Sequence, residues 1–178
     1  MDKKYELTSG TQKVKGNILH RIRACRSFGD VREGTYGGCI ESEANLSHGG
    51  CCWVSSNARV WGDARILGNA EILGAARIYE NAWVDENAQI FDRAQVFGNA
   101  RVFGDSQVFG NAHISGDAWI CGRCEVFGEV LLSGDVQLCG IKLSPKNIKL
   151  DHGIWNRIVR IDDKWYAVST TLQKISMV

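Results

Sequence analysis

The 178-residue chain holds a single proline and lacks any long apolar run. A membrane-spanning helix needs about 20 consecutive apolar residues, and no segment approaches that length. Behind the opening Met1-Asp2-Lys3-Lys4-Tyr5-Glu6 there is no apolar signal core, so export is not expected and a cytoplasmic location is. An excess of one charge is also missing: 21 basic and 20 acidic side chains leave a formal net charge of +1. That balance argues against a surface that binds nucleic acid or an anionic membrane throughout. Seven cysteines (Cys25, Cys39, Cys51, Cys52, Cys121, Cys124 and Cys139) are an odd number in a chain long enough to bury a core. They read as reduced thiols rather than a disulfide framework.

What the chain has in place of these features is a repeat. From Asn57 to Gly140 it divides without insertion into fourteen hexads of the form x-Ala-x-Val/Ile-x-Gly, as in Asn57-Ala58-Arg59-Val60-Trp61-Gly62. The fourth position is aliphatic in all fourteen, the second is Ala in ten, and the sixth is Gly in eleven, with Glu80, Glu86 and Asp92 in its place otherwise. Positions two and four lie two residues apart, so on an extended segment they share a side. Gly at six followed by Asn or Asp at one is a turn signal. A short strand, a corner and another short strand, repeated without a break, bury the aliphatic side by coiling into a β-solenoid.

Outward residues set the period at 18, or three hexads per coil. Stepping by 18 along the fifth position gives Leu73, Phe91, Phe109 and Phe127 on one face and Trp61, Tyr79 and Phe97 on the next. Stepping along the third gives Arg65, Trp83, Arg101 and Trp119. A triangular coil with three flat sheets follows, its strands about 4.8 Å apart. Upstream, Gly38-Cys39-Ile40 and Ala44-Asn45-Leu46 keep the spacing, a two-residue insertion follows near Gly49-Gly50, and Cys52-Trp53-Val54 resumes the frame. The stack then holds nearly six coils and is roughly 25–30 Å long.

The run from Asn57 to Gly140 resembles the hexapeptide-repeat, left-handed β-helix proteins, and the resemblance implies that handedness against the usual right-handed crossover. A narrower resemblance covers Leu19 to Trp53. Its segments are His20-Arg21-Ile22-Arg23-Ala24, Phe28-Gly29-Asp30-Val31-Arg32-Glu33-Gly34-Thr35-Tyr36-Gly37-Gly38 and Glu41-Ser42-Glu43-Ala44-Asn45-Leu46-Ser47. Together they are similar to the leader of short β-solenoid proteins of tailed phages and prophages, often labelled hexapeptide transferases.

Residues 1–36 and 141–178 fall outside the frame and are the natural caps of the open strand edges, with the solenoid at 37–140. Ile18 to Cys25 alternate after a Gly16-Asn17 turn signal, which suggests a hairpin. Pro145 marks the exit, and strands around Ile158–Ile161 and Trp165–Val168 flank Asp162-Asp163. Charge divides along the same boundaries. Basic and acidic residues number 8 and 4 in the first segment (+4), 6 and 13 in the second (−7), and 7 and 3 in the third (+4). Nucleic acid is therefore conceivable only at the caps.

Leu73, Phe91, Phe109 and Phe127 form an apolar strip that a monomer would rarely leave wet. Burial against sister chains is the preferred reading, since the family commonly forms parallel trimers. A cap folded over the strip, or a foreign partner, are the other two. The column Arg65, Trp83, Arg101, Trp119 reads either as a self-stabilising cation–π ladder or as an interface. Glu80, Asp85, Glu86 and Asp92 crowd into the coil 75–92 as an acidic belt, solvated or docking a basic partner. Cys121 and Cys124 have C-x-x-C spacing, yet the first faces outward and the second inward, so no metal or redox role is assigned to them.

His113 is the sole histidine of the fourteen hexads and faces outward. The acyltransferases of the family use a histidine as general base, which makes His113 the candidate if the chain is a coenzyme A-dependent acyltransferase, with acetyl-CoA held between neighbouring chains. No long loop interrupts the frame to shape an acceptor site. The expectation is instead an all-β, non-enzymatic interaction protein of phage or prophage type without a cofactor or metal. It would be a homotrimer whose rigid faces meet a host or phage protein, one option being a defence complex.

Overall fold

In the computed structural model the described residues are 3–140, Lys142, and the backbone of strand segments at 143, 149–150, 154–155, 157–161 and 164–168. The fold is all-β, with one short 3₁₀ turn among the described residues, at Glu43–Asn45. Among the described residues no helix is long and apolar enough to cross a membrane.

Each hexad forms a two- or three-residue strand, and every third strand belongs to the same parallel sheet. The first sheet stacks β3 (Tyr36–Ile40), Arg59–Val60, Arg77–Ile78, Gln95–Val96, His113–Ile114, Leu131–Leu132 and Lys149–Leu150. The second runs from Trp53–Val54 through Glu71–Ile72, Gln89–Ile90, Gln107–Val108 and Glu125–Val126 to Lys142–Leu143. The third runs from Arg65–Ile66 through Trp83–Val84, Arg101–Val102, Trp119–Cys121 and Gln137–Cys139 to Ile154–Trp155. The result is a triangular prism of about six coils, a parallel β-helix.

The register records the repeat and its fault. Arg59 pairs with Arg77 and Gln95 with His113, in each case one three-hexad coil apart. Below them Cys39 pairs with Arg59 and Leu46 with Ile66, a longer step than one coil, and the ordinary step returns where Trp53 pairs with Glu71. The extra chain thus lies between Leu46 and Trp53, around Gly49-Gly50. Past Gly140 the hexad frame ends but each sheet gains one more strand, with Glu125 paired to Lys142, Leu131 to Lys149 and Gln137 to Ile154.

The Ala and aliphatic positions of the frame have essentially no exposed area, so the prism is filled by one continuous core. Each buried Val, Ile or Leu contributes roughly 1.5–3 kcal/mol. Ser106 takes the place of an Ala, and its buried hydroxyl is satisfied by donating to the Phe103 carbonyl at 2.6 Å. Corner residues have positive φ throughout. At Gly116 a Cβ would lie 2.4 Å from the Gly134 nitrogen of the next coil, so glycine is required there for room as well as for φ. The neighbouring Asn and Asp residues stack as side-chain ladders, such as Asn69→Asn87→Asp105 at 3.2 and 3.0 Å.

The N-terminal end is closed by a hairpin. β1 (Tyr5–Val14) and β2 (Asn17–Ala24) pair antiparallel through a turn at Lys15 and Gly16, and β2 pairs antiparallel with β3 at the edge of the first sheet. Strict alternation along β2 would keep Ile18 with Ile22. In the structure Ile18 is 56% exposed, while Leu19 and Ile22 are both buried. Ile22 enters the prism core, whereas Leu19 packs with Trp61 and Tyr79 outside it. A register irregularity between Arg21 and Arg23 accompanies the change. Towards the C-terminus Arg157–Ile161 and Lys164–Val168 pair antiparallel. Pro145, Asp162 and Asp163 lie outside the described residues.

Candidate interaction surfaces

The three outer faces carry different columns. On the first sheet Trp61, Tyr79 and Phe97 stack in parallel, with centroids 4.6 and 4.8 Å apart. This column is covered by the N-terminal hairpin. Leu19 packs on it, Lys15 Nζ sits 4.7 Å above the Tyr79 ring, and Arg59 Nε donates to Gln12 Oε1 of β1 at 2.9 Å. Trp61 and Tyr79 are buried as a result. The N-terminal cap thus folds back over an aromatic strip, the column of Trp61, Tyr79 and Phe97.

The strip of Leu73, Phe91, Phe109 and Phe127 is half-buried among the described residues. Phe91, Phe109 and Phe127 stack at 4.6 and 4.7 Å, so their faces are covered by one another and their edges meet solvent. Lys142 closes the upper end, 5.5 Å from the Phe127 ring and paired with Glu125. Beside the strip runs a polar ladder: Gln107 donates to Gln89 and Gln89 to Glu71, both at 3.1 Å.

On the third sheet the Arg–Trp alternation becomes a physical stack. Arg65 lies 5.7 Å from the Trp83 ring, and Arg101 lies between two indoles, 5.4 Å from Trp83 and 5.3 Å from Trp119. Such contacts are worth about 0.5–1 kcal/mol at exposed sites. The stack is not closed to solvent. Trp83 and Trp119 are 36% and 40% exposed, and they border a groove of about 230 Å³ shared with Asp85, Glu86, Arg101, Val102 and Phe103. Phe103 meets Trp119 edge-on at 6.0 Å. Two features that the sequence presents separately, the Arg–Trp column and part of the acidic belt, are thus one site.

The rest of the belt is dispersed. Glu80, Glu86 and Asp92 occupy successive corners of the prism with φ of 60°, 56° and 58°. Two of them hold the coil above: Glu80 accepts from the Gly98 N–H at 2.8 Å and Asp92 from the Gly110 N–H at 3.1 Å. Asp85 accepts from the Glu86 N–H at 2.6 Å. Among the described residues no three His, Cys, Asp or Glu side chains converge as a cation site.

His113 lies in the first-sheet ladder, half-buried, with Nε2 3.0 Å from Gln95 Nε2. Gln95 also receives the Tyr79 hydroxyl at 3.4 Å. The groove beside Trp83 and Trp119 is on a different sheet from this histidine. Cys124 is fully buried, while Cys121 is in register with Cys139 on the next coil. Burial, reinforced by the neighbouring Cys139, pushes the Cys121 thiol up to about 12.

A cluster that sequence reasoning missed joins the chain's start to the first coil. Tyr5 is fully buried, stacks on His48 at 4.3 Å and donates to the Leu46 carbonyl at 2.6 Å. The Lys4 N–H donates to His48 Nδ1 at 3.2 Å, so the imidazole proton is on Nε2, which lies 3.6 Å from Glu43. Lys3 pairs with the same carboxylate at 2.6 Å.

A family model described as YdcK beta solenoid repeat matches residues 94–108, which is less than one coil. The chain is a β-solenoid repeat protein. The matched segment contains Arg101 and Phe103 of the groove. No curated protein matches the chain.

Proposed function

We propose that this solenoid is a non-enzymatic interaction protein of phage or prophage type, a homotrimer that grips a basic segment of a host protein. The observation that carries the reading is the pair of exposed indoles, Trp83 and Trp119, held on a rigid sheet beside Asp85 and Glu86. Trp and Arg are the usual anchors of protein interfaces. Aromatic walls next to carboxylates suit a cationic side chain, and the formal charge of −7 over residues 37–140 supports attraction of a basic segment. The leader between Leu19 and Trp53, similar to that of phage solenoids, supports the assignment of the partner to a host cell.

The strip of Phe91, Phe109 and Phe127 supports the trimer. The hairpin is spent on the neighbouring column, so sister copies are the natural cover for these ring edges. Phe109→Glu should reduce the mass by light scattering from that of a trimer to that of a monomer.

Affinity capture from host lysate tests the reading. Wild type should retain one partner in fixed stoichiometry, and the double variant Trp83→Ala, Trp119→Ala should release it while keeping the fold. Turnover of acetyl-CoA by wild type that disappears in His113→Ala would overturn the proposal in favour of an acyltransferase.

A further inference from the structure

Lys4 is a lysine without solvent exposure. Its Nζ donates to the Cys52 carbonyl at 2.9 Å and to the Gly49 carbonyl at 3.3 Å, and it lies 3.2 Å from Cys52 Sγ. The Phe28 ring covers another side, its centroid 5.1 Å away. None of these neighbours is a carboxylate, and burial pushes the amine below the usual lysine range. Such a lysine reaches its neutral, nucleophilic form more readily than an exposed one. Cys52 is equally buried, with Sγ 3.5, 3.7 and 3.6 Å from the carbonyls of Ser47, Gly49 and Ile66. Nitrogen and sulfur are thus held against each other by packing on all sides, at a separation that one inserted oxygen atom can span.

We propose that Lys4 and Cys52 form a peroxide-dependent crosslink, an Nζ–O–Sγ bridge between the start of the chain and the first coil. One hydrogen peroxide replaces the S–H of Cys52 by S–OH and releases water. In the second step an N–H of Lys4 and the sulfenic O–H are lost, the N–O bond forms, and a second peroxide is reduced to two waters. The sum is Lys–NH2 + HS–Cys + 2 H2O2 → Lys–NH–O–S–Cys + 3 H2O, in which sulfur and nitrogen each give up two electrons. Two equivalents of a dithiol return the amine, the thiol and one water. Local opening of the edge strand β1 admits an oxidant of this size. The bridge ties down the element that closes the open end of the solenoid.

Peptide mapping of the full chain after peroxide treatment tests this, in a Cys51→Ser background because the exposed Cys51 adjoins the site. The expected product is a linked pair of peptides containing Lys4 and Cys52, about 14 Da heavier than their sum. It should vanish with dithiothreitol and be absent when Cys52→Ser or Lys4→Met is added. Recovery of Cys52 as free thiol, or as sulfinic acid with Lys4 unlinked, while the exposed Cys25 is oxidised in the same sample, would overturn the proposal.

Discussion

Lys15 Nζ lies 4.7 Å above the ring of Tyr79, and this contact fixes the tip of the N-terminal hairpin on the outer face of the third coil. With Leu19 beneath it, the tip removes Trp61 from water as well. Leu19→Ala should therefore destabilise the protein by about 2–4 kcal/mol, as for other fully buried leucines. Ile18→Ala, one residue away and exposed, should change stability by less than about 0.5 kcal/mol. Denaturant titration of the two variants checks the contrast, and equal losses would mean that the tip is not docked.

The stacked position of Arg101 predicts coupling with both indoles. A double-mutant cycle of Arg101→Ala with Trp119→Ala should return about 0.5–1 kcal/mol of interaction. Arg101→Ala with Trp61→Ala, on different sheets, should be additive.

The corner acids should not respond alike to glycine. All three have φ near 60°, where a non-glycine residue costs about 1–2 kcal/mol. Glu80 and Asp92 recover part of this cost by accepting a backbone N–H of the coil above, a bond that the Glu86 carboxylate does not make among the described residues. Glu86→Gly should raise the melting temperature, and by more than either Glu80→Gly or Asp92→Gly.

Cys121 gives stability an alkaline dependence. Its thiol is raised in the folded state from an ordinary value of 9.0 to about 12, so the folded protein holds the proton more tightly than the unfolded chain. The contribution is fully present below pH 9.0 and declines as pH rises toward 12. Tyr5, also raised by burial, acts in the same direction, whereas Lys4, lowered by burial, opposes it. Stability measured between pH 8 and 11 should fall less steeply in Cys121→Ala than in wild type, and parallel curves would remove Cys121 from the account.

The coils were legible because the repeat is a local rule applied many times: each Ala-x-Val/Ile pair faces the core for the same reason, and the outward columns then fix the period. Which column would be covered was not legible. Trp61-Tyr79-Phe97 and Leu73-Phe91-Phe109 look alike as strings, and only the docking of β2 beside β3 brings the hairpin over the former. Nor does spacing reveal that Asp85 and Glu86 share a groove with Trp119, which lies two coils further along the third sheet. Lys4 and Tyr5 reach His48 from the far side of the hairpin and the irregular first coil, and no periodicity marks such a contact.

The Arg–Trp column repeats every second coil, whereas the backbone repeats every coil. Removing the one coil that carries Arg101 would leave the prism in register but set Trp83 directly against Trp119. Removing two coils would restore cation against ring. The column therefore has a parity, and a solenoid that grows or shrinks by duplication keeps this face intact only in steps of two coils, or about 10 Å along its axis.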